Sequence, residues 1–536
     1  MSSAPLPATP TRDCAASLSP LAPLANPTYR ILWGIWLTAN VCMWMNDVAA
    51  AWMMTSMQTS PLWVALVQTA STLPMFLLGL PSGALADILD RRRYFIVTQF
   101  WVAAVALLLC AAVLAGVLTP GLLLALTAAN GIGLAMRFPV YSAIVPELVP
   151  RAQLPAALAL NGVAMNSSRI AGPLLAGALI ASAGSAWVFV LNAVLSLMSG
   201  LLLIRWRRQH VASPLGRERL FSAIRVGLQF VGQSTRVRAT LVRTAVFYFS
   251  SVALLALLPL VARQLHGGDA GTFTLLLASM GFGSIVGAIV LPRLRQHASR
   301  EALVLGGALL QAMAAAAVAL SGEIYLAALA MFVAGTAWIV VANALAVSVQ
   351  LALPDWVRAR GMSMFQMSMM GAGAIGAALW GQVATSASVQ ASLLAASGGT
   401  AIGMLAAHWL VRDRSLEEDL TPSREMKAPV ASEEPALGNV QVTIEYRIDP
   451  ARSAEFRLLM QESRRSRLRQ GALSWELLRS VGDAGCYTER IVDESWTEHL
   501  RRFDRVTKAD VTLRDRKLAH HIGADAPLVT RCFIEP

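Results

Sequence analysis

Charged side chains are scarce in this sequence of 536 residues, of which 14% are charged and 56% are hydrophobic. A soluble protein usually has about a quarter charged residues, so the composition excludes an ordinary soluble protein. The apolar residues also come in long runs. Stretches such as 95–118 and 186–204 approach the ~20 residues that a helix needs to cross ~30 Å of hydrocarbon. The sequence therefore predicts an integral membrane protein whose main partner is the lipid bilayer.

Lysine is almost absent, since only Lys427, Lys508 and Lys517 occur, all beyond the last apolar run. The net charge of +12 comes from arginine instead, and most arginines lie in short segments between apolar runs or near the C-terminus. This distribution is typical of membrane topology and argues against a nucleic-acid partner. No Gly-Lys dipeptide occurs either. The phosphate loop of an ATP-driven pump requires one, so this polypeptide is not itself a primary pump.

Cysteine pairs with metal-ligand spacing are also missing. The five cysteines are far apart and form no C-x-x-C pair: Cys14, Cys42, Cys110, Cys486 and Cys532. Their spacing predicts neither a disulfide framework nor a metal site, and we expect no cofactor. Residues 1–27 are rich in Pro, Ala and Ser and lack the features of a signal peptide. We expect them to form a disordered cytosolic tail.

Twelve apolar runs are present. A window of about 19 residues places spans at 31–54, 61–85, 95–118, 121–145, 155–182 and 186–204, and then at 241–262, 271–291, 302–320, 324–350, 361–384 and 388–411. The basic stretch 205–240 separates the two sets of six, which is an internal repeat at the level of architecture. The sequence thus predicts an all-α membrane protein with twelve transmembrane helices, whose six-helix halves occupy 28–204 and 241–412.

The arginines orient these spans. If the N-terminus is inside, the loops on that side carry eighteen arginines, whereas the loops on the other side carry Arg263 alone. By the positive-inside rule, this bias places both termini in the cytoplasm. We therefore expect a multi-pass protein of the cytoplasmic (inner) membrane.

The loop between the second and third spans carries a motif. Residues 83–93 read Gly-Ala-Leu-Ala-Asp-Ile-Leu-Asp-Arg-Arg-Arg. This resembles the signature of the major facilitator superfamily, with Asp90 where glycine is usual. A glycine allows close helix approach, and a carboxylate at a helix end can pair with arginines or face a helix N-terminus. We expect a conformational latch made of Gly83, Asp87, Arg91 and Arg92, the alternative being an ordinary basic loop.

The equivalent loop of the second half is degraded. It keeps Gly287 and the basic residues Arg293 and Arg295, but has Leu291 where the acidic residue is expected. Asp87 is therefore the main acidic residue of the predicted latch.

The fifth span contains Gly172, Pro173 and Gly177 in the order Gly-Pro-x-x-x-Gly. This resembles a motif of exporters in the same superfamily. Glycine and proline together produce a kinked helix with a small face that packs tightly. The motif favours antiport export over uptake.

Four further segments resemble the branch of this superfamily that contains the enterobactin exporters and the transmembrane secretion effectors. They are Met-Asn-Asp-Val-Ala at 45–49, Pro-Glu-Leu-Val-Pro at 146–150, Asn-Ser-Ser-Arg-Ile-Ala-Gly-Pro at 166–173 and Glu-Ser-Trp-Thr-Glu-His-Leu-Arg-Arg at 494–502. Family members often have Gln-His where this chain has Arg502-Phe503. The resemblance implies a major facilitator fold and a secondary active transporter, not an enzyme. Such a protein exports a small organic molecule, such as a siderophore, drug or metabolite, by proton antiport with alternating access.

Charges inside spans are costly and are functional candidates. Asp47, Arg137 and Arg169 stand out, and Asp47 is the only acidic residue well inside a span. At 1.5 Å per residue, Asp47 lies roughly 24 Å and Arg169 roughly 21 Å from the cytoplasmic ends of their helices. The similar depth makes an ion pair feasible. We interpret Asp47 as a proton-coupling site that Arg169 tunes; a static pair, or a carboxylate in a wet vestibule, is the alternative.

Other polar side chains in the spans suggest a substrate cavity. Asn40 shares a helical face with Asp47. Arg137 lies roughly 12 Å from the inner face, where it either snorkels inward or contacts an anionic substrate. Mid-membrane amides and aromatics suit an amphipathic organic solute better than a bare ion. We expect the cavity to include Asn130, Asn161, Tyr248, Asn343, Gln366 and Trp380.

The composition changes after the last span. Residues 413–438 read as a linker, and 439–536 as a soluble domain. Strand-like runs at 440–448, 472–480, 486–494 and 528–534 alternate with helical segments at 450–470 and from 497 to about 508. This β-α-β-β-α-β order predicts a ferredoxin-like α+β domain.

This domain resembles the antibiotic-biosynthesis-monooxygenase type of dimeric α+β barrel. Folds of this type sometimes catalyse oxygenation and often only bind or dimerise. Trp475, Trp496 and His499 are candidates to line a pocket. We expect regulation or dimerisation; the alternative function for the whole chain is a membrane-anchored enzyme whose C-terminal domain is a monooxygenase-like catalyst.

Overall fold

The structure is a computed structural model. It describes residues 21–57, 60–150, 153–205, 220–265, 270–354, 356–410, 419–423, 425–426, 428–429 and 438–534. The side chains of some helical residues, Gly83, Asp87 and Asn166 among them, lie outside this description.

The chain divides into two compact units. The helical unit comprises Met1–Ala212, Arg243–Leu345 and Gln366–Trp409. The mixed unit comprises Ser213–Val242, Ala346–Phe365 and Leu410–Pro536.

The first six-helix half follows the predicted spans. It consists of α1 (Pro27–Met57), α2 (Pro61–Ile88), α3 (Arg91–Leu114), α4 (Pro120–Leu148), α5 (Leu154–Ala183) and α6 (Ser185–Arg205). Capping residues determine where several of these helices begin. Asp90 caps α3 by accepting a hydrogen bond from the Arg93 backbone N–H at 2.8 Å, and Thr119 caps α4 just before Pro120.

A short helix precedes the second half. Residues Leu220–Gln233 form α7 inside the stretch expected to be a basic loop. The six long helices that follow are α8 (Thr235–Gln264), α9 (Ala270–His297), α10 (Arg300–Leu320), α11 (Ile324–Leu351), α12 (Arg358–Ser386) and α13 (Val389–Leu410). Each of the twelve predicted spans thus coincides with one long helix, although α8 begins at Thr235, six residues before the predicted start.

Ten of these described helices are long and apolar enough to cross a membrane. The exceptions are α1, which carries Arg30 and Asp47, and α12, which begins with Arg358 and Arg360. Both are still long enough for the ~30 Å of a hydrocarbon core. The prediction of twelve helices in two halves of six is confirmed.

Aromatic packing fixes α1 within the first half. Trp36 stacks on Tyr141 of α4, with ring centroids 4.2 Å apart and planes at 2°. The Tyr29 hydroxyl donates to the Ala157 carbonyl of α5 at 3.1 Å, and Tyr29 is fully buried. These contacts hold α1 and α5, the two helices with the predicted coupling residues, in fixed register.

The C-terminal domain is an α+β sandwich. Its strands are β1 (Asn439–Arg447), β2 (Ser474–Arg479), β3 (Cys486–Asp493) and β4 (Leu528–Ile534), in the order β2-β3-β1-β4 with all neighbours antiparallel. Helix α14 (Ser453–Arg469) follows β1, and α15 (Trp496–Asp504) and α16 (Lys508–Leu518) follow β3. This is the predicted β-α-β-β-α-β fold.

One helical boundary in this domain was wrong. The helix predicted from 497 to about 508 already ends at Asp504, and a second helix, which was not predicted, begins after Thr507. Its hydroxyl accepts from the Asp510 N–H, while the Asp510 carboxylate accepts from the Thr507 N–H at 2.9 Å. This capping box ends one helix and begins the next.

Candidate functional site in the helical bundle

Asp47 lies on α1 and is half-buried. Its carboxylate accepts a hydrogen bond from the Ser71 hydroxyl of α2 at 2.8 Å. No cation lies within ion-pair distance of it among the described residues. A carboxylate inside a helix bundle with one neutral donor is poorly compensated.

Arg169 has a different environment on α5. Its guanidinium lies 3.8 Å from the ring centroid of Trp338 on α11 and 5.4 Å from that of Trp44 on α1. These aromatic faces stabilise the cation without supplying a counter-charge. The structure therefore does not join Asp47 and Arg169 in the ion pair that we considered. It places Arg169 at the seam between the two six-helix halves, since Trp44 and Trp338 belong to different halves.

Arg137 and Asn40 face the first half only. Arg137 is almost fully buried; it donates to the Ala39 carbonyl at 3.4 Å and lies 5.5 Å above the Trp36 ring. Asn40 is also buried, and its amide donates to the Trp36 carbonyl at 2.6 Å. Both side chains therefore meet around Trp36.

The remaining cavity candidates are dispersed. The amide oxygen of Asn343, within α11, accepts from Arg295 near the C-terminal end of α9 at 2.9 Å. Gln366 is half-buried on α12. Trp380 is tied to the Phe249 carbonyl by its indole N–H at 2.9 Å. Tyr248 is buried in edge contact with Trp338, which brings it into the surroundings of Arg169.

The Gly-Pro-x-x-x-Gly segment contacts two helices. A Cβ at Gly172 would overlap Trp44 on α1, and one at Gly177 would lie 2.5 Å from Thr274 on α9. Helix α5 continues through Pro173, whose missing N–H leaves the Arg169 carbonyl without its helical donor. The motif thus lets α5 pack closely against both halves.

The two halves also meet at the end of the bundle where α1 turns into α2. Thr385 at the end of α12 accepts from the Leu62 N–H at 3.0 Å. Trp52 stacks on Phe273 of α9 with centroids 5.3 Å apart, and Arg263 lies 5.1 Å above the same tryptophan. Together with the close approach of Gly177 and Thr274, these contacts join the two halves at this end.

The predicted latch is described only in part. Gly83 and Asp87 lie outside the described side chains. Arg91 donates to Glu147 at the end of α4 at 2.5 Å, and Arg92 donates to the Ile204 carbonyl of α6 at 2.6 Å. The described arginines therefore tie α3 to α4 and α6 within one half. In the sequence, the segment around Glu147 showed only a resemblance to a family. Glu147 was therefore not predicted as the partner of Arg91.

Buried charges of the C-terminal domain

Glu489 lies in the core of the C-terminal domain and is fully buried. It accepts from Ser463 at 2.8 Å, Trp475 at 2.9 Å, Tyr446 at 3.0 Å and Lys517 at 3.2 Å. Arg467 is 3.6 Å away. Burial by itself would raise the pKa of Glu489, but Lys517, Arg467 and the hydrogen bonds outweigh it and hold that pKa well below its ordinary value.

Asp493 is the second buried carboxylate. It accepts from Arg502 at 2.7 and 2.8 Å and contacts the Nδ1 atom of His499 at 2.7 Å. Burial opposes ionisation, but Arg502 and His499 lower the pKa of Asp493. Lys517 shows the reverse balance: burial lowers its pKa to about 8 despite Glu489.

Two of the three residues that we expected to line a pocket in this domain contact the buried carboxylates. Trp475 binds Glu489 and His499 binds Asp493, while Trp496 packs against His499 with centroids 5.3 Å apart. These side chains are therefore held as parts of a packed core.

Helix α7 packs against this domain within the mixed unit. Arg225 donates to Glu494 at 2.8 Å and to the Gly471 carbonyl at 3.2 Å, and Ser222 donates to Glu494 at 2.8 Å. Sequence reasoning missed this helix because its apolar residues lie among arginines in a stretch interpreted as a loop. The signal was the recurrence of apolar residues at helical spacing through Ile224, Leu228 and Val231.

Comparison with known proteins places the chain. The family model described as "Transmembrane secretion effector" matches residues 18–535. Among curated proteins, the chain is 20% identical over 255 residues to the staphyloferrin A transporter of Staphylococcus aureus, covering 47% of this chain and 64% of that protein. It is 30% identical over 190 residues to the putative multidrug resistance protein MdtD of Shigella boydii, covering 33% and 39%. The chain thus matches less than two thirds of the length of these relatives.

Solved structures share the fold. A bacterial homologue of the human lysosomal transporter Spinster aligns with a TM-score of 0.57 at 16% identity, covering 73% of this chain and 98% of that one. The nucleoside transporter NupG aligns with a TM-score of 0.60 at 13% identity, covering 72% and 100%. At these identities the likeness concerns the fold alone.

Proposed function

Because the chain belongs to the transmembrane secretion effector family of the major facilitator superfamily, we propose that it is a secondary transporter that exports a small organic molecule by proton antiport. This proposal includes membership of the branch of the superfamily that contains the enterobactin exporters. The C-terminal domain serves regulation or dimerisation in this scheme.

The observation that carries the proposal is the position of Arg169. Its guanidinium lies between Trp44 of the first half and Trp338 of the second. Alternating access moves one half against the other around a central site. A cation held by aromatic faces from both halves must change its surroundings when they move, and it is available to bind an anionic or aromatic substrate.

Asp47 is the proton-coupling residue in this scheme. It lies on the same helix as Trp44, and Ser71 is its one described partner. Protonation would remove a poorly compensated charge from the bundle, and deprotonation would restore it. The alternative is that Asp47 only shapes a wet vestibule.

The state of the transporter follows from the predicted topology. With both termini cytoplasmic, the end closed by Thr385, Trp52 and Gly177 faces outward. This conformation is then the outward-closed state, from which an exporter loads its substrate on the cytoplasmic side. The latch around Arg91 and Arg92 would act at the opposite end.

The substrate class is supported by the relatives and by the site. One relative is named for a siderophore, staphyloferrin A, and another for multidrug resistance. The tryptophans and Tyr248 around Arg169 suit an amphipathic organic molecule with an anionic group.

Transport in inside-out vesicles tests the proposal. Vesicles with the full chain are acidified inside, and siderophores and drugs are added one at a time while the internal pH is followed. A substrate of a proton antiporter makes the interior less acidic in vesicles with the wild-type chain and not in empty vesicles. Uptake that persists without a proton gradient and leaves the internal pH unchanged would contradict proton antiport.

A further inference from the structure

The mixed unit contains a second cavity that the proposed transport mechanism does not use. It has a volume of about 690 Å³, within the range of small-molecule sites. Its walls come from the end of α7, the start of α8, the segment at 419–420 and helices α14 and α16. Elements far apart in sequence therefore enclose one space.

Four arginines line this cavity: Arg236, Arg465, Arg469 and Arg516. Arg516 is paired with Glu462 at 2.7 Å. Arg465 lies about one turn after Glu462 on α14. It has neither a hydrogen bond nor an ion pair in the described part of the chain. Its guanidinium is exposed and free to bind a ligand.

The acidic lining residues do not neutralise Arg465. Glu462 pairs with Arg516. Asp510 accepts from Thr507 at 2.9 and 2.8 Å and also from Ser466. Asp419 accepts from the Thr421 hydroxyl and backbone N–H, and these bonds lower its pKa. Each carboxylate thus has a partner other than Arg465, and four arginines against three carboxylates leave the cavity with an excess of positive charge.

The other lining residues are apolar or uncharged polar, and some of them lie at the start of a span. Phe230, Leu420 and Leu513 line the cavity, and the apolar span of α8 begins at Thr235, also a lining residue. The ends of a membrane span lie near the polar headgroup region of a bilayer, where the phosphate groups of lipids are found. Guanidinium groups match phosphate oxygens in geometry and charge.

We propose that this cavity is a binding site for a phosphate ester, with Arg465 as the principal anion-binding residue and Phe230 and Leu513 contacting the organic part. The phosphate is carried either by an anionic lipid headgroup or by a soluble phosphate ester. A ligand there would bridge α14 and α16 to the start of α8.

Direct binding to the full-length protein tests the site without any transport assay. Protein in a neutral detergent is titrated with glycerophosphoglycerol by calorimetry. In parallel, retention of phosphatidylglycerol is measured by native mass spectrometry after purification from nanodiscs that contain phosphatidylglycerol and phosphatidylcholine. The variants are Arg465→Gln and Arg465→Glu. Arg464→Gln is the matched control, because Arg464 is an exposed neighbour on α14 that does not line the cavity.

We expect Arg465→Gln to weaken binding about tenfold and Arg465→Glu to weaken it further, whereas Arg464→Gln changes it by less than about twofold. If Arg465→Gln lowers the retention of phosphatidylglycerol, the ligand is a lipid; if it weakens glycerophosphoglycerol binding and leaves lipid retention unchanged, the ligand is a soluble ester. Failure of both probes to bind the wild-type protein, or equal effects of the Arg464 and Arg465 variants, would overturn the proposal.

Discussion

The helical bundle and the C-terminal domain treat buried charges in opposite ways. In the domain, Arg467 lies close to Glu489. Glu489 also accepts hydrogen bonds from four side chains, those of Tyr446, Ser463, Trp475 and Lys517. In the bundle, the described partner of Asp47 is one neutral donor, Ser71, and the described contacts of Arg169 are aromatic faces. The domain surrounds its buried carboxylates with cations and donors, whereas the bundle leaves these two charges poorly compensated among the described residues.

This difference separates structural charge from functional charge. Removing one member of a saturated buried network leaves its partners uncompensated, which is strongly destabilising. A poorly compensated charge costs free energy in the resting state, and a protein retains it where the charge must move, bind or change protonation. Substitution of Glu489 should therefore lower the stability of the domain, whereas substitution of Asp47 should impair transport.

The largest expected effect on stability is that of Glu489→Gln. The variant leaves Lys517 and Arg467 without their counter-charge in a dry core, which we expect to cost about 3–5 kcal/mol. Pulse proteolysis of the C-terminal domain in the full chain, at increasing urea, measures this loss.

Glu476→Gln is the matched control for that experiment. Glu476 pairs with Arg490 at 3.2 Å, but both side chains are exposed, at 51% and 40%. We expect a change below about 1 kcal/mol. Equal effects of the two variants would show that burial of the Glu489 network carries no special stability.

Acidification should weaken the same network. Because the pKa values of Glu489 and Asp493 are lower in the folded domain than their ordinary values, their contribution is complete above the ordinary pKa, 4.5 for Glu489. It is lost as the pH falls below that value, since the unfolded chain then binds protons that the folded domain does not. The urea midpoint of the domain should fall steeply below pH 4.5, and less steeply in Glu489→Gln. Parallel curves for the two proteins would argue against this assignment.

A smaller effect is expected where the two halves of the bundle touch. Gly177→Val inserts a side chain where a Cβ alone already meets Thr274 at 2.5 Å, and overpacking of this kind typically costs about 1–3 kcal/mol. Gly162→Val on the same helix is the control, because nothing lies within 4 Å of a Cβ there. Thermal unfolding in detergent should separate the two variants; a Gly177 variant as stable as the control would mean that α5 and α9 are not closely packed.

The smallest stability effect belongs to Arg169→Gln. The variant loses cation–π contacts worth about 2 kcal/mol at most, but it also removes a half-buried charge that has no counter-charge among the described residues. We expect the unfolding temperature in detergent to stay close to that of the wild type while transport is lost. A large fall in that temperature would place Arg169 with the structural charges.

The helices and the sheet could be predicted from the sequence, because apolar runs and alternation are local patterns. The residues that contact the charged side chains could not be predicted from the sequence. Trp338 is in the other half of the chain from Arg169. Equal depth made an Asp47–Arg169 pair plausible, but Asp47 contacts Ser71 and Arg169 contacts tryptophans instead. Depth along a helix is readable from spacing, whereas the direction that a side chain faces depends on packing.

The same limit applies to the mixed unit. Helix α7 was hidden in a basic stretch, so its contact from Arg225 to Glu494 was not foreseen. The cavity around Arg465 brings together segments from three parts of the chain, and spacing within any one of them carries no trace of it.

Substitution of Asp47 tests the central claim most directly. In proteoliposomes with the full chain, Asp47→Asn should abolish substrate accumulation driven by a pH gradient, keep exchange of labelled for unlabelled substrate in the absence of a gradient, and unfold at nearly the wild-type temperature. Asp47→Glu, which keeps the carboxylate, should retain part of the proton-driven accumulation. If Asp47→Asn accumulated substrate in response to the gradient as the wild type does, Asp47 would not be the coupling residue.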